Sequence, residues 1–368
     1  MNTGRLVRSI AVTGSIAVLA ACGSTSRPSA SSVAPSAPPP VSVSIPVPAA
    51  AAPAHRAAPA QLTGTIETIA RNFEGKFGIA IRAVDEGWTV TSPGARTRLP
   101  QQSVSKLWVA LTLMDLRDQG KAKLDDPILV RPEDLTLFHQ PIAMLVKGAG
   151  YQTTVGDLLT RALTHSDNTA NDRLLTYVGG PAAVRAMIER KQLGDIRFGP
   201  GERLLQAKTA GLTWNQSYAA SGAFEAARAR LSPGARTAAL DAYIANPPDG
   251  AAPIAIADSI ARLARGELLS ETSTRILIDT MGASVTGRAR LRAALPAGWT
   301  IAHKTGTGQD LGGRNAGFND VGLLTCPDGR RYAIAVMIGD TQRSMRERQE
   351  LIQSVAAAVA SYVGSSRG

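Results

Sequence analysis

The sequence is poor in aromatics and in cysteine, and it carries no block of like charge. Phe, Trp and Tyr make up 4% of its 368 residues, too few for the stacking platforms that grip single-stranded nucleic acid. The formal charge is +11, but the 40 Lys and Arg residues are scattered along helical patterns and form no basic stripe interleaved with aromatics. Nucleic-acid binding is set aside on that ground. The charge suits an anionic envelope surface or anionic small substrates. The chain has two cysteines, Cys22 and Cys326, and Cys22 closes a leader-like segment, so no disulfide framework can staple the fold. A chain with 44% hydrophobic residues must rely on its core instead, and Cys326 reads as a core or turn residue. Near the N-terminus the uncharged run Ser9 to Ala20 is too short, and too interrupted by Thr13, Gly14 and Ser15, to span a membrane. The sequence shows no internal repeat.

What is present at the N-terminus has a clear order. Arg5 and Arg8 precede that run, and Leu19-Ala20-Ala21-Cys22 ends it with small residues before a cysteine, the pattern of a secretory signal. The segment resembles a bacterial lipobox, which implies that Cys22 becomes a lipidated first residue and that the charge falls to +9 as Arg5 and Arg8 leave. The expected location is the periplasm, lipid-anchored. Gly23-Ser24 lacks the aspartate that retains such proteins at the inner membrane, which favours the outer one. From Gly23 to about Pro59 the chain is Ser, Ala, Pro and Val with Pro38-Pro39-Pro40, a composition that builds no core and reads as an extended tether. The expected organisation is a leader over 1–21, a tether over 22–60 and one folded domain over 61–368.

Within that domain, Leu62, Ile66, Ile69 and Phe73 recur at helical spacing. Phe77 to Val84 reads as a strand, turned by Asp85-Glu86-Gly87 into a second around Trp88 to Thr91. Helical patterns then dominate: a helix opened by Ser103, then Val155–Leu163, Thr169–Tyr177, Ala182–Arg190, two between Ser217 and Ala245 broken at Ser232-Pro233-Gly234, Ile254–Arg265 and Ser270–Met281. Strand character returns over Gly298–His303, Gly317–Thr325 and Arg331–Ile338, before a last helix from Met345 to Val363. Strands at both ends with helices between them predict one antiparallel sheet built from the two termini, covered by terminal helices, with an all-helical lobe inserted.

Three short stretches carry candidate chemistry. In Ser103-Val104-Ser105-Lys106 a helix would set the lysine amine one turn from the serine hydroxyl, a nucleophile beside a base; alone, the same pattern also fits a helix N-cap. Ser166-Asp167-Asn168 falls on a connection between two helices, and Lys304-Thr305-Gly306 follows a strand.

S-x-x-K, S-D-N and K-T-G in that order are the signature set of class A β-lactamases and penicillin-binding proteins, and the sequence resembles that family from about Gln61 to the C-terminus. Gly179-Gly180-Pro181 and the stretch from Gly266-Glu267-Leu268-Leu269 through Leu295-Pro296-Ala297-Gly298-Trp299 to Lys304 extend the likeness. The resemblance implies an α/β (α+β) fold with a five-stranded antiparallel sheet flanked by terminal helices plus the helical lobe. It implies hydrolysis of β-lactams through a serine acyl-enzyme, with Ser103 as nucleophile and Lys106 in its hydrogen-bond network. Ser103 and Thr307 would offer backbone N–H groups to the oxyanion. Ser166 would relay a proton to the leaving nitrogen while Lys304 keeps the site positive. Thr305, Gly306 and Thr307 would bind the substrate carboxylate with Arg314, the closer positional match, or Arg290. Asn168 would bind the side-chain amide, and His139 takes the place of an aromatic that edges the family's site.

For hydrolysis of the acyl-enzyme, Glu202 lies 36 residues after Ser166, the family's separation for its general base, and Gln206 stands where an asparagine helps hold the water. Glu225 is the next candidate. The family's arginine two residues before the base is Pro200 here, so its salt bridge to the aspartate that maps to Asp249 cannot form in the same way, and the segment from Gln206 to Asp249 is longer than usual by roughly 34 residues and forms one wall of the cleft. The reading calls for no cofactor and no metal ion, a small-molecule β-lactam substrate, a membrane contact through the lipid alone, and a monomer. Two rivals stay open: a cell-wall D,D-peptidase or transpeptidase on the same scaffold, and a non-catalytic peptidoglycan-binding lipoprotein.

Overall fold

The longest strand of the sheet, Arg331–Asp340, has nearly every residue buried, which requires that both faces of the sheet be covered. The two faces divide by size. Tyr332, Ile334, Val336 and Ile338 join the core cluster on one side, and Ala333, Ala335 and Met337 join the cluster on the other. The computed structural model describes residues 57–220 and 222–365; the leader and Cys22 readings, and the tether as far as residue 56, lie outside the described residues, and Ala60, expected to end the tether, already opens the first helix.

Five strands form the sheet: β1 (Lys76–Ala83), β2 (Thr89–Thr91), β3 (Thr300–Thr307), β4 (Phe318–Thr325) and β5 (Arg331–Asp340), in the spatial order β2-β1-β5-β4-β3. Every neighbour pair is antiparallel. Strands from both ends of the chain therefore meet at the β1/β5 pair, as the sequence pattern predicts. The Ile and Val face is covered by the terminal helices α1 (Ala60–Arg71) and α7 (Met345–Ser365), whose Leu62, Ile66, Leu351, Ile352, Val355 and Val359 complete that cluster. Cys326 is buried there too. On the opposite face, the small residues Ala80, Ala333 and Ala335 let α6 (Pro253–Ala264) lie close to the strands with Ala257 and Ala261 among its buried residues.

The inserted lobe is built around α2 (Lys106–Asp118), buried from Lys106 through Asp115 and so apolar nearly all round, as a core helix must be. Further helices α3 (Asn168–Tyr177), α4 (Glu202–Thr209) and α5 (Pro233–Ala245) lie around the cleft. The lobe departs from the all-helical expectation in one respect: Pro127–Val130 pairs with Tyr151–Thr154 as a short antiparallel ladder. α5 starts where its sequence says it should, with Pro233 at the first turn and the Ser232 hydroxyl accepting from the Ala235 N–H.

Because Ile334 sits at full burial under the terminal helices, truncating it leaves a cavity that the sheet cannot close. Ile334→Ala is expected to cost roughly 2–5 kcal/mol in urea unfolding; a loss under about 1 kcal/mol would mean that this face is loosely packed.

Candidate active site

Each motif is delivered by a different kind of local structure. Ser103 does not cap the helix: it lies in a 3-10 turn, Gln102–Ser105, that runs straight into α2, and no side-chain cap is made there. Gln102 enters that turn with φ of +54°, a left-handed conformation unusual for a residue with a Cβ. Ser166 is also left-handed, at φ +61°, between a π turn (Arg161–His165) and α3. Asp167 holds that kink, its two carboxylate oxygens accepting from the Ala170 and Ile142 N–H groups at 2.9 and 2.7 Å. Lys304 and Thr305 ride on β3, which runs on past the motif to Thr307.

These pieces converge. The Lys106 amine donates to Ser103 Oγ at 2.7 Å and to Asn168 Oδ1 at 2.8 Å, and makes a close ion pair with Glu202 Oε1. Lys304 Nζ donates to Ser166 Oγ at 2.9 Å and to the Thr305 carbonyl at 3.0 Å. Burial, and then the neighbouring Lys106 charge, hold the Lys304 amine well below the usual range. A cavity of about 360 Å³ opens over them, and Ser103, His139, Ser166, Asn168, Gln206, Thr305 and Thr307 of the predicted set line it. A larger groove of about 810 Å³ is lined by residues of α1 and β1; its serine, Ser92, accepts from the Ile79 N–H, and among the described residues no lysine, histidine or carboxylate side chain hydrogen-bonds to it.

Glu202 is placed from its own helix start. Asp172 on α3 accepts from the Glu202 and Arg203 N–H groups at 2.8 and 3.1 Å, capping α4 in place of Gly201. Gly201 sits at φ +100°, where a Cβ would also crowd Leu175. Burial, and then the Glu202 charge, raise the Asp172 carboxyl. Glu225, by contrast, is exposed on the helix Ala223–Ala229 and does not line the cavity.

The order of the two arginines is reversed. Arg314 does not line the cavity; it forms a fork to Asp340 at 2.7 and 2.9 Å and an ion pair with Asp241 on α5. Arg290 takes the position at the cleft, donating to the Gly306 and Asn319 carbonyls and to Thr307 Oγ1, with its guanidinium 3.7 Å from the Phe318 ring centre. Burial pushes it down to about 10, and no carboxylate among the described residues forms a salt bridge with it, so its charge is not neutralised by a partner where it meets Thr307.

Sequence reasoning did not single out Gln102, Phe138, Asp172, Tyr243, Thr286, Gly287 or Gln309. Phe138, Thr286, Gly287 and Gln309 line the cavity, and Phe138 stacks edge-on against Phe224 of the long segment at 5.0 Å. None of them belongs to a spaced pattern. The aspartate expected to lack its arginine does lack it: among the described residues Asp249 has no cationic partner, and its Oδ2 accepts from the Gln102 N–H at 2.8 Å and the Tyr243 hydroxyl at 3.2 Å. Burial raises its carboxyl to about 6.

That shift has a sign. The folded-state pKa lies above the unfolded one, so the contribution to stability is fully present below about pH 4 and is lost as the pH rises through 6. An asparagine at this position has no charge to bury. Asp249→Asn is therefore expected to gain on the wild type by an amount that grows between about pH 4 and 6 and levels off above about pH 7, on the order of 2–3 kcal/mol in all, in paired thermal melts. An offset that does not change with pH would contradict this.

The sequence matches the profile described as the Beta-lactamase enzyme family over residues 61–363. It is 30% identical to the extended-spectrum beta-lactamase PER-1 of Pseudomonas aeruginosa over 292 residues, 79% of this chain and 83% of that one. A beta-lactamase structure from Chitinophaga pinensis superposes with a TM-score of 0.67 at 25% identity, covering 82% of this chain and 99% of the other. A variant of the last common ancestor of Gram-negative class A beta-lactamases superposes at 0.66 with 29% identity, covering 83% and 100%. With its S-x-x-K, S-D-N and K-T-G groups gathered on one cleft, the chain belongs to the beta-lactamase enzyme family.

Proposed function

We propose that the protein hydrolyses β-lactams as a class A-like serine enzyme, through an acyl intermediate on Ser103. The observation that carries this reading is the buried Lys106 amine, in reach of both the Ser103 hydroxyl and the Glu202 carboxylate. A serine hydroxyl needs an acceptor for its proton as it attacks, and the Lys106–Glu202 pair supplies one. The Ser103 oxygen adds to the lactam carbonyl, the oxyanion is met by the N–H groups of Ser103 and Thr307, and the C–N bond breaks as Ser166 passes a proton to the nitrogen. Lys304 reprotonates Ser166 along its 2.9 Å hydrogen bond. Arg290, Thr305 and Thr307 receive the substrate carboxylate, Asn168 the side-chain amide, and His139 edges the opening.

In the second half, once the Lys106–Glu202 pair has released the Ser103 proton to solvent and Lys304 has regained one, Glu202 takes a proton from water as that water attacks the ester and returns it through Lys106 to Ser103, which leaves as the alcohol. Gln206 supports this role: its amide nitrogen lies 3.3 Å from Glu202 Oε2 and it lines the cavity. A D,D-peptidase on this scaffold shares Ser103, Lys106, Ser166 and Lys304 but has no use for a buried carboxylate beside the nucleophile, and Glu202 favours the hydrolase. The enzyme is placed in the periplasm, held to the outer membrane through a lipidated Cys22, on the strength of the leader pattern alone. The test of that location is labelling with radioactive palmitate, which Cys22→Ser should abolish.

Glu202→Gln is expected to slow deacylation by about 10² to 10⁴ and to accumulate the acyl-enzyme with benzylpenicillin, read by intact mass. Turnover at the wild-type rate would remove Glu202 from the mechanism. Ser103→Ala should give no adduct at all, and an adduct on another residue would overturn the assignment of the nucleophile.

A further inference from the structure

The long segment between Gln206 and Asp249 is not a loose appendage. Its helix α5 packs Leu240, Tyr243 and Ile244 against Leu205 on α4 and against Ala316, so one face of the inserted helix is fused to the helix that carries Glu202. From that face the Tyr243 hydroxyl reaches beneath the nucleophile. It receives a hydrogen bond from Gln102 Nε2 at 2.8 Å and donates to Asp249 Oδ2 at 3.2 Å.

Gln102 carries the contact onward. Its side chain, 1% exposed, also donates to the Ala316 carbonyl at 2.9 Å, and its Oε1 accepts from Gln206 Nε2 at 3.0 Å. The same Gln206 nitrogen lies 3.3 Å from Glu202 Oε2, while Gln309 fixes the other end of Gln206 by donating to its carbonyl and its Oε1 at 2.9 and 3.1 Å. Gly308 and Gly317 press on the Gln102 side chain so closely that a methyl built on either would come within 2.8 and 2.7 Å of it. Gln102 therefore has no room to turn, and with φ of +54° it also sets the direction in which the chain enters Ser103.

We propose that Tyr243 is a positioning residue for deacylation: through Gln102 and Gln206 it fixes the amide that orients the water Glu202 deprotonates, and it secures the Asp249 carboxylate where no arginine is present. A hydroxyl at the base of a chain of buried amides is well suited to this, because Gln102 and Gln206 have their other amide atoms already committed and cannot flip without leaving a buried polar group unmet. The inserted helix is thus part of the hydrolytic half of the reaction. This inference rests on the reading of Glu202 as the general base.

The test separates acylation from deacylation in single-turnover experiments with a chromogenic cephalosporin, for Tyr243→Phe, Gln102→Met, the double variant and Glu202→Gln. Tyr243→Phe is expected to slow deacylation about ten- to a hundredfold while acylation stays within about threefold of the wild type, since a small displacement of the water-holding amide is enough to lose that much. Gln102→Met, which leaves every residue of the inserted helix in place, should do the same and covers the case in which Tyr243→Phe does not fold. The double variant should be no slower than the slower single, because both break one chain. Deacylation at the wild-type rate in the two folded single variants, or acylation falling in step with deacylation, would overturn the proposal. If instead Glu202→Gln itself fails to trap the acyl-enzyme, the reading of the base has failed and the inference falls with it.

Discussion

An ammonium group removed from water costs several kcal/mol unless its protons and its charge are met within the protein. Lys106, 1% exposed at the start of the central helix, meets that cost with three partners drawn from three separate parts of the chain: Ser103 on the preceding turn, Asn168 at the start of α3 and Glu202 at the start of α4. Each partner arrives by a costly local device. The turn before Ser103 needs a left-handed Gln102, the turn before Asn168 a left-handed Ser166, and the helix at Glu202 a positive-φ Gly201 and a cap from the buried Asp172. Strain of this kind persists only where the surroundings over-determine it. Here the surroundings are the buried helix α2 below and the sheet edge β3 beside it.

A second buried cation sits opposite the first. Burial, and then the charge on Lys106, weaken the hold of Lys304 on its proton, and that amine stands 2.9 Å from the Ser166 hydroxyl, the geometry that the proposed proton relay needs. Arg290 adds a third positive group at the rim, held by carbonyls instead of a carboxylate. This charge arrangement suits the proposed binding of an anionic substrate and the charge that would develop on its carbonyl oxygen.

The three motifs were legible in the sequence because each is short and its geometry is local: a serine and a lysine three apart, a triplet between two helical patterns, a lysine on a strand. The sheet was legible because β1, β4 and β5 are apolar runs bounded by turn residues. The ranking of Arg314 over Arg290 was not recoverable from position along the chain. Gly312 and Gly313 turn the segment between Asp310–Leu311 and Arg314–Asn315 through a tight hairpin, and Asp340 together with Asp241 from the inserted helix draws Arg314 away from the cleft. The solution to the missing salt bridge was equally hidden. Tyr243 and Asp249 are close in sequence, but what joins them to Gln102 is a contact across more than a hundred residues, and no spacing rule reports such a contact. Long-range polar contacts of buried side chains are fixed by tertiary packing, and a single sequence does not display them.

The central claim is that one hydroxyl, Ser103, carries the substrate and is then released again by water. Rapid-quench mass spectrometry of the wild-type enzyme with excess chromogenic cephalosporin tests it most directly. The account predicts an acyl adduct on the peptide that contains Ser103, formed within the first turnover and gone once the substrate is exhausted, with many substrate molecules opened per enzyme. An adduct that persists with no further turnover, or turnover with no adduct on that peptide, would contradict it.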